Sequence, residues 1–249
     1  MSIGLYTLHE EQIASRGVSL FVQELQQDGP LGGIQFFDDL LATDAKDRFT
    51  NTGTPAKQAV AGGVWRLSNS GTNDGYVHLI LPDVCALDKK TAFEIRIKRS
   101  SVSAGAGSLF AGFANDGTYD ATNGPLGDGA THDLVVEGVG IEIDADADPD
   151  AASLAICGSG ASKLTKGSQA IVADTFIRLG FVFDPSNGAF FYVDGVKQSD
   201  FHIASNITDS TKAPASSSLM DLVVSIKSDA LSSGNTNDID WIAFAQAAS

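Results

Sequence analysis

Between Gly140 and Asp150 the chain reads GIEIDADADPD, with a carboxylate at every second position from Glu142 to Asp150. These residue types at this spacing allow three kinds of chemistry. Carboxylate oxygens bind hard cations such as calcium, paired carboxylates cleave glycosidic bonds, and a row of acids also forms the hydrated face of a strand. Side chains alternate along a strand, so Ile141 and Ile143 point one way while Glu142, Asp144 and Asp146 point the other. Neighbouring carboxylates on that face lie ~6.6–7 Å apart, where two charges in water repel by only about 0.6 kcal/mol. A wet face therefore needs no partner, whereas a covered one must hold a cation or a proton, because a buried unpaired charge costs several kcal/mol. Pro149 cannot donate to a sheet ladder and DPDA is a good turn, so the chain is expected to fold back into SLAICG, with Leu154 and Ile156 in the same core. The stretch is read as a solvated strand face that keeps the exterior acidic.

Two reactive readings rest on the same residues. DADAD resembles the opening of an EF-hand loop, but Pro149 stands where a glycine makes the sharp turn and Ala155 where a bidentate Glu belongs. A different calcium site built on Asp144, Asp146, Asp148 and Asp150 stays open, and no metal or cofactor is assigned. EIDAD also resembles the E-x-D-x-E strand motif of the laminarinase and lichenase glycosidases. That resemblance implies Glu142 as nucleophile, Asp144 as the residue tuning its neighbours and Asp146 as acid/base. The last position departs from the motif. Residues four apart on a strand start ~13 Å apart, while a retaining mechanism needs carboxyl groups about 5–5.5 Å apart, and an Asp gives up a methylene of reach. Trp65 and Trp241 both sit in strand-like segments that read as core, so neither Trp is expected as an aromatic platform for a sugar. No catalytic residue is assigned, and the chain is not read as an enzyme.

Other candidate chemistry is sparse. Cys85 and Cys157 lie in the apolar surroundings PDVCAL and LAICGS and read as buried free thiols. His9, His78, His132 and His202 have no helical pair spacing, which argues against a histidine metal or acid–base centre. GAGS at 105–108 lacks the Lys of a phosphate loop, and NIT at Asn206 matches a glycosylation sequon that is read as coincidence without a secretory signal. With 16 Lys+Arg against 31 Asp+Glu the net charge is −15, which repels nucleic-acid backbones and anionic membranes. The opening MSIGLYTLHEEQ carries acids where a signal peptide carries Lys or Arg, so synthesis in a cytoplasm is expected.

The elements that must position these residues are strands. In TAFEIRIKRS, Phe93, Ile95 and Ile97 alternate with Glu94, Arg96 and Lys98, which reads as a strand with one wet face. FIRLGFVFD repeats the pattern with Ile177, Leu179, Phe181 and Phe183, and PSNG from Pro185 to Gly188 supplies the turn into AFFYVDG. Further strands are expected in GGVWRLS, GYVHLILP, SLFAGFA, LVVEGVGIEI, SLAICG, LMDLVVSIK and DIDWIAFAQ. In DIDWIAFAQ both faces are apolar, so that strand must be covered twice. About a dozen strands suit an all-β, antiparallel jelly-roll sandwich. This domain is expected to occupy residues 34–249, behind an N-terminal arm over 1–33 in which Thr7 and Glu10 have capping-box spacing for a short helix ending at Gly17. The arm is expected to dock on its own domain or on a neighbour.

FIRLGFVFDPSNGAFFYVDGVK resembles the hairpin of concanavalin A-like and laminin-G-like sandwiches. The longer order FFDDLL, GGVWRLSNSGTNDGYVHLILPD, TAFEIRIK and DIDWIAFAQ is similar to jelly-roll proteins that decorate the capsids of tailed bacteriophages. That resemblance implies a capsid decoration or cement protein on the outer surface of the virion, made in the host cytoplasm. Its partners would be the major capsid protein and copies of itself, with a trimer guessed from shell symmetry. The class-distinct alternative is a carbohydrate-binding or glycan-hydrolysing jelly roll with the acidic strand at its cleft.

Overall fold

Strands that bury one apolar face must stack it on another sheet, and this chain does so along most of its length. A computed structural model describes residues 35–38, 40, 49–53, 55–58, 63–68, 74–103, 106–115, 117, 119–120, 122–127, 134–143, 151–158, 163–203, 213–214, 219–228 and 235–247. The expected N-terminal arm lies outside them, as do Asp144, Asp146, Asp148 and Asp150. Fifteen strands occur among the described residues: β1 (Gln35–Asp38), β2 (Thr50–Thr52), β3 (Ala56–Lys57), β4 (Trp65–Ser68), β5 (Tyr76–Ala86), β6 (Thr91–Arg99), β7 (Ser108–Asn115), β8 (Gly138–Ile143), β9 (Ala151–Cys157), β10 (Lys163–Ala170), β11 (Ile177–Asp184), β12 (Gly188–Val193), β13 (Val196–Ile203), β14 (Leu219–Lys227) and β15 (Thr236–Gln246).

They form two antiparallel sheets. The eight-stranded sheet runs β13-β12-β11-β6-β15-β4-β3 with β1 also on β15, and the seven-stranded sheet runs β10-β9-β8-β7-β14-β5-β2. This is the expected antiparallel jelly-roll sandwich. Strands far apart in sequence meet at its centre: β15 inserts between β6 and β4, and β14 between β7 and β5.

The core between the sheets follows the alternation read from the sequence. Phe93, Ile95 and Ile97 of β6 face inward with Leu179, Phe181 and Phe183 of β11 and Ile242 and Phe244 of β15. Register places Phe181, Phe93 and Phe244 in one row across three strands. Phe113 enters from the opposing sheet and meets all three rings, at centroid separations of 6.0, 5.9 and 5.6 Å. Leu154 and Ile156 share this core with Ile141 and Ile143, as the predicted β8–β9 hairpin requires. Trp65 and Trp241 are buried, the former donating from Nε1 to Leu40 O at 2.9 Å. Both faces of β15 are buried along Ile239–Ala245 apart from the partly exposed Asp240.

Turn chemistry sets two of the hairpins. Asp184 Oδ1 accepts from the main-chain N–H groups of Ser186 and Asn187 at 2.8 and 3.1 Å, holding the turn between β11 and β12. Asp194 and Gly195 carry φ of 50° and 80° between β12 and β13, the paired left-handed conformation of a type I′ turn, whose twist matches that of the flanking strands.

On the outer face of the seven-stranded sheet lie described residues of the connection between β7 and β8. Tyr119, Leu126, Leu134 and Val136 pack there on Tyr76, Ile80, Phe110, Ala114 and Val223. This covering corrects the reading of the acidic stretch at its first residue. Glu142 is 1% exposed on β8, between Phe110 and Ser153, and has partners. Periodicity alone distinguishes the two faces of a strand but not water from a covering segment. Glu94 is corrected as well: it is 1% exposed, so the wet face of β6 is confined to Arg96 and Lys98.

Candidate functional site

Charged residues converge on the outer face of the eight-stranded sheet. In strand register Arg66 of β4 lies opposite Asp238 of β15, which lies opposite Lys98 of β6. One carboxylate thus stands between two cations on adjacent strands. Arg66 donates to it from Nε and Nη2 at 2.6 and 2.8 Å, and Lys98 Nζ approaches at 3.1 Å. Two residues along, Asp240 shares that face by strand alternation, at the bulge between Ile239 and Trp241, and Arg96 Nη1 donates to it. The Arg96 guanidinium lies 4.3 Å from the centroid of Phe176, just before β11, and Lys98 Nζ lies 5.2 Å from it. Gln58 and Val64 complete the walls of a cavity of about 250 Å³.

Burial and charge act on Asp238 in opposite senses. Its removal from water pushes the carboxyl pKa up, but hydrogen bonds from Arg66 and Lys98 outweigh this, so the group stays ionised and its pKa falls below the usual carboxylate value. The Arg66 guanidinium is raised in turn, chiefly by its hydrogen bond to Asp238. The fork-to-carboxylate geometry fixes the plane of Arg66. Because Arg66 is 35% exposed, the pair's contribution is screened and is at most about 1 kcal/mol.

A second polar cluster lies beneath the segment that covers the other sheet. Tyr76 Oη donates to Leu126 O, and Lys227 Nζ donates to Gly127 O at 2.5 Å and lies 3.3 Å from Asp74. His78 Nε2 lies 3.0 Å from both Asp120 O and Asn123 O. Carbonyl oxygens only accept, so Nε2 carries the proton and Nδ1 is the bare acceptor. Nδ1 is buried without a hydrogen-bond partner among the described residues, as is Oγ of Ser225 on the paired strand opposite. Burial pushes the His78 pKa down, against the opposing effect of the Asn123 and Asp120 carbonyls and the Asp120 charge. This cluster is enclosed and fastens the segment to the sheet.

The residues singled out in the sequence fare differently. Glu142 is withdrawn from solvent, so it is not placed to attack a sugar. Asp144, Asp146, Asp148 and Asp150 lie outside the described residues, with His9 and His132. Cys85 and Cys157 are buried free thiols, as expected, and burial, with Asp88 adding, pushes Cys85 up to about 12. The charged groove was missed as a site. Its signal is an Arg-x-Lys pair at 96 and 98 and an Asp-x-Asp pair at 238 and 240, opposite charges at equal spacing on two apolar strands.

Comparison with solved structures places the fold. A carbohydrate recognition domain, that of Emp47p, superposes with a TM-score of 0.56 at 13% identity, over 86% of this chain and 95% of that one. The fold is that of the concanavalin A-like jelly rolls. A protein of unknown function from Shewanella oneidensis is similar over 99% of this chain and 96% of its own, with a TM-score of 0.59 and 12% identity. The carbohydrate esterase of the Shiga toxin-encoding bacteriophage phi24B matches with a TM-score of 0.54 and 15% identity, over 87% of this chain and 100% of that one. No protein-family profile matches the chain, and no curated protein is significantly similar to it in sequence.

Proposed function

We propose that this protein is a carbohydrate-binding sandwich that holds a glycan without cleaving it, at the groove between Arg66, Arg96, Lys98 and Phe176. The observation that carries the reading is the groove itself: pre-arranged N–H donors, two carboxylate acceptors and an aromatic ring around a cavity of about 250 Å³. Sugars present hydroxyls to donors and acceptors and C–H faces to rings, and binding sites combine a few fixed polar groups with apolar walls. Structures sharing the fold include carbohydrate recognition domains and a phage carbohydrate esterase, which supports a glycan as ligand. Turnover is not proposed, because Glu142, the nucleophile that the glycosidase resemblance implies, is buried.

Capsid decoration, implied by the order of sequence motifs, depends on an arm and on partner contacts that lie outside the described residues, and glycan binding is the reading favoured over it. The test is a glycan array probed with the full chain, followed by Gln58→Trp, which places a bulky ring at the groove wall. Wild type should retain defined glycans and release no reducing ends from them, and the variant should lose retention with an unchanged melting temperature. Absence of any retained glycan would overturn the reading, and unimpaired binding by the variant would move the site elsewhere.

A further inference from the structure

The groove is asymmetric in what it shows to solvent. Its carboxylates are withdrawn, with side chains 4% exposed at Asp238 and 15% at Asp240, whereas the cations stand out, at 35% for Arg66, 35% for Arg96 and 26% for Lys98. The acids form the floor and the cations the rim. Three cations against two carboxylates leave a single positive charge in a chain whose net charge is −15. Asp174, which also acts on Arg66, is exposed, where water weakens it.

The cations are not equivalent. Arg66 spends its fork on Asp238 through Nε and Nη2 and is a scaffold residue. Arg96 commits Nη1 to Asp240 and its face to the Phe176 ring, which leaves Nε and Nη2 without a partner among the described residues. That edge is a planar two-donor fork of the kind that binds a carboxylate with two parallel hydrogen bonds. Stacking on Phe176 and pairing with Asp240 hold the fork in place before any ligand arrives, which lowers the entropy lost on binding. Lys98 lies two residues along the same strand face, with one contact to Asp238 at 3.1 Å and further ammonium donors available.

We infer that the groove selects glycans bearing a carboxylate, such as sialylated or uronate-containing chains, with the acid on the Arg96 fork beside Lys98. The inference rests on the glycan-binding reading and adds the class of sugar. An acidic ligand also suits the geometry: a neutral sugar gives the unpaired fork only weak acceptors, whereas a carboxylate matches both its charge and its plane.

The experiment uses the full chain on an array carrying sialylated, uronate-containing and neutral glycans, and then titrates the tightest acidic binder against its methyl ester. Acidic members should bind preferentially, and the ester, which keeps the sugar but loses the charge, should bind at least about ten-fold more weakly. Arg96→Gln should abolish the discrimination, with circular dichroism and melting temperature as wild type. Lys98→Met provides a second variant should Arg96→Gln fail to fold. Equal binding of acid and ester, or discrimination that survives both substitutions, would overturn the inference while leaving glycan binding intact. Retention of neutral glycans alone would do the same, and retention of none would remove the underlying reading with it.

Discussion

His78 is the residue whose environment makes the sharpest solution prediction. Burial holds its pKa below that of an exposed histidine, so the folded protein resists a proton that the unfolded chain accepts. The histidine contribution to stability is therefore fully present above about pH 6.5, declines as pH falls below that value, and levels off once pH has passed the lowered folded-state pKa. Asp120, beside it, does not titrate in this window. Hydrogen bonds from Thr122 and Asn123 hold its carboxyl at about 2. His78→Gln keeps an N–H donor and removes the titration, so urea unfolding of variant and wild type should show a difference in stability that shrinks from pH 7 to pH 5. Parallel curves over that range would mean that His78 is not the group responsible. None of this is legible in the sequence, where His78 stands as one scattered histidine. What buries it is a segment about 40 residues further on, reaching back across the sheet.

At the scale of elements, β7 and β8 pair with Gly112 directly opposite Gly140. A Cβ at Gly112 would press on Val139 O and come within 2.5 Å of Gly140 Cα, and one at Gly140 would come within 2.5 Å of the Phe110 ring. The glycines leave a shallow trough that Phe110 fills. Backbone cannot step aside as a side chain can, so Gly112→Ala should lower stability by about 1–3 kcal/mol, read as a fall in denaturation midpoint at unchanged m-value. A stability equal to wild type would show that the strands can separate at little cost. The inner strands were legible because their alternation is written in Phe, Ile, Leu and Val, as in TAFEIRIK and FIRLGFVFD. β10 and β13 were not. Each is the outermost strand of its sheet, pairs on one side, and carries residues such as Lys163, Lys166, Lys197 and Gln198 that discourage further pairing. The same device that protects an edge erases the apolar pattern by which a strand is recognised. The Arg66–Asp238 pair was hidden for another reason, since its partners are 172 residues apart and meet only once β15 has taken its place beside β4.

For the molecule as a whole, Phe113 couples the two sheets directly, because its ring touches Phe93, Phe181 and Phe244 of the opposite sheet. Phe113→Ala should cost about 3–5 kcal/mol, lowering the melting temperature by several degrees or abolishing folding. A loss below about 1 kcal/mol would imply that the sheets repack without it. The outer faces are used differently. One carries the charged groove, and on the other pack the described residues of the strap between β7 and β8, fastened by Tyr76, His78 and Lys227 through the carbonyl oxygens of Leu126, Asp120, Asn123 and Gly127. Every amino acid supplies a carbonyl oxygen. These anchors grip what all sequences have in common, so apart from Gly124, tucked against the Tyr76 and His78 rings, and the Asp120, Thr122 and Asn123 side chains whose mutual hydrogen bonds shape the turn that offers two of those carbonyls, exposed described positions of the strap such as Val135 can be rewritten without loosening it, which makes them natural places to graft new recognition sequences.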